Sequence, residues 1–495
     1  MKKIIVILAT LLLTIAAVGQ TLHVTMGSVT YQFPASQTGD MDFANGQTLT
    51  IMGKTLTLSA IDAMTVDDTT VQDNTVNITY SGTSATVTVA GNVAQYVTPT
   101  VNGAHVSIEQ TNTSDIDGDE ITYVLSGTTT NGSFSLDGSY KCTIALEGLT
   151  MTNPSGACLN ITNGKRIQIS AKKNTENTLT DGANGSHTGC IYSKGQIQLQ
   201  GNGTLNVAGK TKHAIKSGDY IRIKNLTLNI TSAKKDGISC NEYFLMQSGT
   251  VTIKGVGDEG IQCELDGTTS TGQTTDHEDE DSGNIYIEGG TLTVNNTSGE
   301  GIESKGELFI SGGNVTVNAK DDAINAASHL TISGGTVYAC ATNNDGIDAN
   351  GNCYIKGGVI FAIGAREPEV AIDANTEKNF KLYVTGGTII AIGGLERGSS
   401  LTQTCYQASS WTKSKWYALT VGSETIAFKT PSSGGNGLVV SGASQPTLKQ
   451  GVTVSDGTVV FGGNGYTGAT VTGGSSVSLS EYSEQGGGGG HGPRW

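Results

Sequence analysis

Proline is scarce in this chain, 7 residues of 495 against 69 glycines. Helix signals are few, and Thr, Val, Ser and Asn abound, an all-β composition with many turns. Hydrophobic residues make up only 36%, below the globular norm, as suits a thin core wrapped by one layer of strand. Basic residues are outnumbered, 29 Lys and Arg against 44 Asp and Glu, leaving a formal net charge of −15. That excludes a typical nucleic-acid binder, because phosphate contacts need clustered Lys and Arg. The few His are scattered and no Cys/His ligand spacing is present, which argues against zinc. After the first residues no apolar stretch is long enough to cross a bilayer, so an integral membrane protein is not expected.

The N-terminus reads differently. Met1-Lys-Lys3, the apolar residues 4–18 and the small Ala17 and Gly19 have the order of a secretory signal peptide over residues 1–19. An N-terminal anchor is the alternative, and the run is short for one. No Cys follows to carry a lipid. Loss of Lys2 and Lys3 takes the charge from −15 to −17. The expected location is secreted, whether extracellular, periplasmic or at the cell surface.

Eight Cys in an exported chain invite a disulfide reading. Cys240 and Cys263, however, each follow an isoleucine, Ile238 and Ile261, by two residues. Cys158 and Cys190 each precede an apolar residue that opens a strand. Stacked strands lie about 4.8 Å apart, beyond the usual disulfide Cβ separation of about 3.8 Å. Buried thiols are the favoured reading and bridges the alternative. Cys142, Cys340, Cys353 and Cys405 are left undetermined.

The chain is organised by a repeated phrase, an acid, a small residue and an isoleucine. It is plainest in Glu300-Gly-Ile302-Glu303 and Asp345-Gly-Ile347-Asp348. The isoleucines are Ile191, Ile215, Ile238, Ile261, Ile302, Ile324, Ile347 and Ile372, in steps of 24, 23, 23, 41, 22, 23 and 25 residues. A period in the twenties built of strand-like pieces is the mark of a β-solenoid. Within one period the strands are Ile302-Glu-Ser304, Leu308-Phe-Ile310 and Val315-Thr-Val317, with a Gly312-Gly313 corner. Equivalent corners stand at Gly289-Gly290, Gly334-Gly335, Gly357-Gly358 and Gly386-Gly387. Gly supplies positive φ there and lets neighbouring backbones approach.

The predicted fold is all-β, a right-handed single-stranded parallel β-helix with small β-rich N- and C-terminal regions. The expected division is a β-module over 20–100, the helix over 101–400, a β-cap over 401–482 and a Gly-rich tail over 483–495. The long step of 41 holds an insertion of about 18 residues with the acidic run 276–281, either a solvated loop or part of a binding face.

Two outward-facing columns follow from the repeat. Two residues before each isoleucine stand His213, Asp236, Glu259, Glu300, Asp322 and Asp345; one residue after stand Lys216, Ser239, Gln262, Glu303, Asn325, Asp348 and Asp373. Like charges about 4.8 Å apart repel, by about 0.9 kcal/mol in water and about 3.5 kcal/mol at an effective dielectric near 20. A stack of acids is explained either by a solvated, solubilising face or by hard divalent cations between the turns. Calcium is favoured, since it takes six to eight mixed oxygen ligands. The candidate ligands are Asp236, Glu259, Glu300, Glu303, Asp321, Asp322, Asn325, Asp345, Asp348 and Asp373. Calcium can also bridge protein carboxylates to those of a uronic acid, so the edge selects acidic polysaccharide when calcium is present.

Several phrases resemble a known family: Ile121-Thr-Tyr-Val-Leu-Ser-Gly127, Gly132-Ser-Phe-Ser-Leu136, Leu149-Thr-Met-Thr-Asn153, Asn177-Thr-Leu-Thr-Asp181, Ala214-Ile-Lys-Ser217, Lys235-Asp-Gly-Ile238 and the later acid-Gly-Ile units. Together, over roughly 121–394, they resemble the secreted bacterial carbohydrate-binding β-helix family once labelled a domain of unknown function. The resemblance implies a right-handed β-helix akin to pectate lyases, calcium sites at the acidic phrases, and binding of plant-wall polysaccharide, above all polygalacturonate, without cleavage.

Three functions are therefore weighed. The first is a non-catalytic, calcium-assisted polysaccharide binder. The second is a polysaccharide lyase with Lys305, Lys216, Arg222 or Arg366 as the base. The third is a repeat-built adhesin or scaffold. Lys216, Lys305 and Arg366 are candidates for contact with the glycan. Trp411 and Trp416, in the aromatic-dense segment 405–417, would either stack on sugar rings or cap the open end of the core.

Overall fold

The computed structural model describes residues 19–265 and 281–483, without the side chain of Asn296. Most of the leader, residues 266–280 of the insertion and the terminal tail lie outside the described residues. The chain divides into two compact units, Met1–Lys234 and Lys235–Trp495. Both are all-β, with no α-helix among the described residues.

The first unit opens with antiparallel pairings. Thr21–Met26 pairs with Val29–Pro34, and Asp42–Ala44, Thr48–Ile51 and Lys54–Thr57 form a three-stranded sheet. Parallel pairing then takes over. His105–Gln110, Ser133–Gly138, Leu159–Ile161, Gly189–Ser193 and His213–Ser217 follow one another in register as one column. Ile167–Ala171, Ile197–Gly201 and Ile221–Lys224 form a second, and Glu176–Asp181, Thr204–Gly209 and Thr227–Ala233 a third.

In the second unit the pattern is stricter, because each repeat adds one strand to each of three columns. Ile238–Cys240, Ile261–Cys263, Ile302–Ser304, Ile324–Ala326 and Ile347–Ala349 are parallel neighbours. Tyr243–Met246, Asn284–Ile287, Leu308–Ile310, Leu330–Ile332, Cys353–Ile355 and Leu382–Val384 make the next column. The third begins with Thr250–Lys254 and Thr291–Thr297 and runs to Val359–Ile363 and Thr388–Ile392. Ile238, Ile261, Ile302, Ile324, Ile347 and Ile372 have no exposed surface. Their stacking is the core expected from the sequence.

The Gly-Gly corners show why side chains are excluded there. A Cβ on Gly312 would lie 2.3 Å from the Glu288 carbonyl oxygen of the preceding repeat, and Gly313 has φ +81°. Any other residue would need both a backbone displacement and a strained conformation.

The chain after the columns forms a six-stranded antiparallel sheet from Trp416–Val421 to Thr470–Val477. Tyr417, Leu419, Phe428 and Phe461 of this segment share one buried cluster with Tyr338, Phe361 and Ile390 of the third column. Trp411 packs against the same cluster and its Nε1 donates to the Gly435 carbonyl at 3.0 Å. Of the two readings of this aromatic segment, the covering of the core is the one its contacts carry. Trp416 is half-buried beside Tyr466, with centroids 5.5 Å apart.

All eight cysteines are free thiols, seven of them buried. Cys240 and Cys263 are register partners with sulfurs 3.5 Å apart. Ellman's reagent should therefore react with few thiols in the native protein and with eight after denaturation; fewer than eight would reveal bridges. Ile324→Ala, which empties a fully buried site, should lower unfolding free energy by about 2–5 kcal/mol in chemical denaturation. A loss below about 1 kcal/mol would show that this column is not the core.

Candidate functional site

The acidic phrase falls at the start of the first column in each repeat of the second unit. Because the backbones stack in register, residues after the isoleucines stack too. Gln262 faces Glu303, Glu303 faces Asn325 and Asn325 faces Asp348. Parallel bridges Ile347 to Ile372 and Ile372 to Leu395 carry the row through Asp373 to Glu396. Leu395-Glu396 is thus one more repeat, at a step of 23 from Ile372, where the sequence reading let the period lapse after Gly394. Leucine in place of isoleucine hid it; the spacing alone could have found it.

The structure corrects the expected solvent-facing position of these columns. Asp236, Glu259, Glu303, Asp322, Asp345 and Asp373 are all buried, Asp236 completely. Glu300, Asp321 and Asp348 are half-buried. A solubilising face would be exposed, so that explanation fails here. Burial of carboxylates beside one another disfavours their charged forms. Desolvation, with the neighbouring Asp348 and Asp345 charges, pushes Asp322 up to about 9. Desolvation and Asp236 push Glu259 to about 9. Desolvation, then Glu396 and Asp345, raise Asp373 to about 11. Glu300 is raised as well, chiefly by desolvation.

Two clusters bring three carboxylates together, with one oxygen from each within 4.8 Å of the others. One is Asp345, Asp348 and Asp373. The other is Asp236, Glu259 and Asp258, a residue the sequence reading passed over although the pair Asp258-Glu259 matches Asp321-Asp322. At the second cluster the Lys235 ammonium stands 3.5 Å from Asp236 and 3.6 Å from Asp258. It supplies part of the positive charge there.

Hydrogen bonds fix the first cluster from both sides. Asp322 Oδ1 accepts the Asp345 N–H at 2.8 Å, and Asp345 Oδ1 accepts the Val370 N–H at 2.5 Å. Asn325 Nδ2 donates to Asp322 at 3.1 Å and to Asp348 at 2.8 Å. Its amide nitrogen faces the acids, so Asn325 orients the Asp322 and Asp348 carboxylates. Glu303 accepts from Gln262 at 2.8 Å and is bonded by Lys305. Asp321 accepts from Asn344 at 2.7 Å. These two acids are already engaged, and the sequence had ranked them with the rest.

The donor set tests calcium. Each cluster offers hard carboxylate oxygens and no sulfur or imidazole, which suits calcium and not zinc. Glu259 Oε2 is buried and no hydrogen-bond donor reaches it. A cation would answer that oxygen, and the residues present fit one.

The other predicted contacts are dispersed. Lys305 lies at the row but is committed to Glu303, which weakens it as a lyase base. Arg366 is exposed beside a hollow that also includes Thr342, Asn343 and Ser433. Lys216 belongs to the first unit, in register with Tyr192, and Arg222 in that unit pairs with Gln198. Beyond Asp373, Glu396 borders a cavity of about 220 Å³ that it shares with Glu367, Glu369, Glu377 and Arg397.

Comparison with known proteins now bears on this geometry. The family described as "Carbohydrate-binding domain-containing protein" matches residues 102–298 and 270–458. The chain belongs to this family. A relative of the same description from Acetivibrio thermocellus is 26% identical over 111 residues, covering 20% of this chain and 39% of its own length. The match thus spans about two fifths of that relative. A solved structure described as the polysaccharide lyase-like protein from C. thermocellum, in a gadolinium derivative, aligns over 58% of this chain and 93% of its own, at 20% identity and a TM-score of 0.38. No helix among the described residues is long and apolar enough to cross a membrane.

The raised carboxyls set a pH dependence. Their folded values lie above the ordinary values near 4, so between about 4 and about 9 the folded state holds protons the unfolded chain has shed. Stability in chelator should therefore fall as pH rises across that window. Thermal unfolding with chelator at several pH values checks this; a rising or flat profile would mean the row is not desolvated as described. Added calcium should restore stability at pH 8.

Proposed function

We propose that this chain is an exported, non-catalytic binder of acidic plant-wall polysaccharide, of the polygalacturonate type, acting through calcium ions held in the acidic row. The three parallel columns are read as closing into a right-handed single-stranded β-helix, the hand that parallel crossovers take. The observation that carries the reading is the convergence of Asp345, Asp348 and Asp373 within 4.8 Å. Three acids in a buried, hydrogen-bonded frame are costly alone and favourable around a hard cation.

In this reading Asp345, Asp348 and Asp373 hold one calcium, and Asp236, Asp258 and Glu259 a second. The ion supplies positive charge and open coordination positions for uronate oxygens. The protein supplies the frame: the Val370 N–H fixes Asp345, the Asn325 amide fixes Asp348, and the Asp345 N–H holds Asp322 beside them, so less ordering remains at binding. Glu396 extends the row toward the cavity beyond Asp373. Membership in the carbohydrate-binding family supports a glycan partner. The engagement of Lys305 by Glu303 leaves the row without a free base beside it among the expected candidates, which supports binding over elimination.

The test is a polygalacturonate pull-down with calcium and with chelator, while absorbance of unsaturated product is followed. Calcium-dependent retention without product is expected. Product would establish a lyase instead, and retention indifferent to chelator would remove the calcium bridge. Asp348→Asn should weaken retention at least about tenfold, or about 1.4 kcal/mol. In chelator the same substitution should raise the melting temperature, because it removes a charge that repels Asp322 and Asp373. A lowered melting temperature would mean Asp348 serves the fold and not an ion.

A further inference from the structure

The second column of the Lys235–Trp495 unit carries a feature that the acidic row does not use. Its outward residues form a register of their own: Tyr286 opposite Phe309, Phe309 opposite Thr331, Thr331 opposite Tyr354 and Tyr354 opposite Tyr383. All five are half-buried, with part of each side chain facing solvent. Tyr286 and Phe309 stack with centroids 5.2 Å apart and planes 5° from parallel. Tyr354 and Tyr383 stack at 5.1 Å and 13°. The ladder therefore has four rungs and one vacancy, where Thr331 stands in place of a ring.

Parallel stacking turns one face of Phe309 and one face of Tyr354 toward that vacancy. Two strand spacings separate them, about 9.6 Å. With carbon contacts of about 4 Å on each side, one more ring fits between. Thr331 forms the floor. His329, two residues earlier in the same repeat, flanks the gap, its ring edge-on to Tyr354 at 6.2 Å and held from behind by Phe380 at 5.7 Å. His329 Nδ1 accepts the Asn352 N–H at 2.8 Å. A neutral imidazole bonded that way carries its proton on Nε2, a donor for a ligand oxygen. The Tyr354 hydroxyl accepts from Asn352 Nδ2 at 2.9 Å and keeps its own proton to donate.

We infer that the gap over Thr331, between Phe309 and Tyr354, is a second glycan site that takes one pyranose ring of an uncharged polysaccharide without a metal ion. The two aromatic faces match the apolar C–H faces of a sugar, and His329 and the Tyr354 hydroxyl serve its hydroxyl groups. No carboxylate stands in the column from Tyr286 to Tyr383. The charges along its margins are mixed, Glu288 and Glu307 against Lys356 and Lys381. The Lys356 ammonium lies over the Tyr354 ring at 5.1 Å, on the face that Tyr383 leaves, and its flexible side chain must swing aside for a sugar ring to enter. A margin without net charge gives no preference for uronate. A planar apolar ligand would find the faces but leave the His329 and Tyr354 donors unused. The inference rests on the carbohydrate-binding reading and adds a site that calcium does not govern.

The test is calorimetric titration of the full-length protein with cellohexaose, xylohexaose and mannohexaose in chelator. At least one should bind, and Tyr354→Ala should weaken it about tenfold or more. Thr331→Tyr, which fills the vacancy with a fifth rung, should weaken it as much while keeping the wild-type melting temperature or raising it, so misfolding would not explain the loss. Absence of binding by all three sugars, or wild-type affinity in Thr331→Tyr, would overturn the site. Retention of polygalacturonate in calcium is scored in parallel. If it persists while the hexasaccharides fail, the aromatic site falls and the calcium reading stands; the opposite pattern separates them the other way.

Discussion

In-register parallel pairing is the constraint on which the rest of this structure depends. It places equivalent residues of successive repeats about 4.8 Å apart and does so indifferently to their chemistry. For isoleucine this is favourable, and Ile302, Ile324 and Ile347 nest without exposed surface. For glycine it permits corners where the backbone of one repeat nearly touches the next. For tyrosine and phenylalanine it produces stacked rings. For aspartate and glutamate it concentrates charge, and burial then makes that charge costly. The same geometry thus builds the core and creates the electrostatic problem that a ligand can answer.

The acidic row is more than a set of stacked charges, because its members are not equivalent. Lys305 and Gln262 occupy Glu303, and Asn344 occupies Asp321. Asp345, Asp348 and Asp373 converge instead. The difference arises from the residue at each turn, Lys305 two positions beyond Glu303 but Asn350 two positions beyond Asp348. The convergence of carboxylates is therefore local to particular repeats, while the scaffold is uniform. This is consistent with the carbohydrate-binding family to which the chain belongs, and it separates the frame that repeats from the sites that do not.

Much of the architecture was legible from periodicity. The steps near 23 located the first column, the Gly-Gly pairs located the corners, and the composition excluded helices. The step from Ile372 to Leu395 was missed since the repeat was recognised by its isoleucine and not by its length. Asp258 lies three residues before Ile261, outside the two columns counted, and only its match to Asp321 before Ile324 could have pointed to it. Trp411 is a case where residue type left two readings open: a sugar-stacking ring and a packing ring have the same composition, and its bond to Gly435 and its seat on the core cluster favour packing.

What the sequence determined by itself is the order of like residues along the stack, since a fixed period and in-register pairing leave no freedom in which acid neighbours which. Burial and convergence were decided by the tertiary structure. Whether Asp322 meets water or protein depends on how the corner before Ile324 is covered, and that involves residues such as Asp345 and Asp348, 23 and 26 positions further on. The vacancy over Thr331 follows the same rule. A threonine in the sequence is one polar residue among many; between the faces of Phe309 and Tyr354 it becomes the floor of a space one ring wide, because each of those rings already has a stacking partner on its other side.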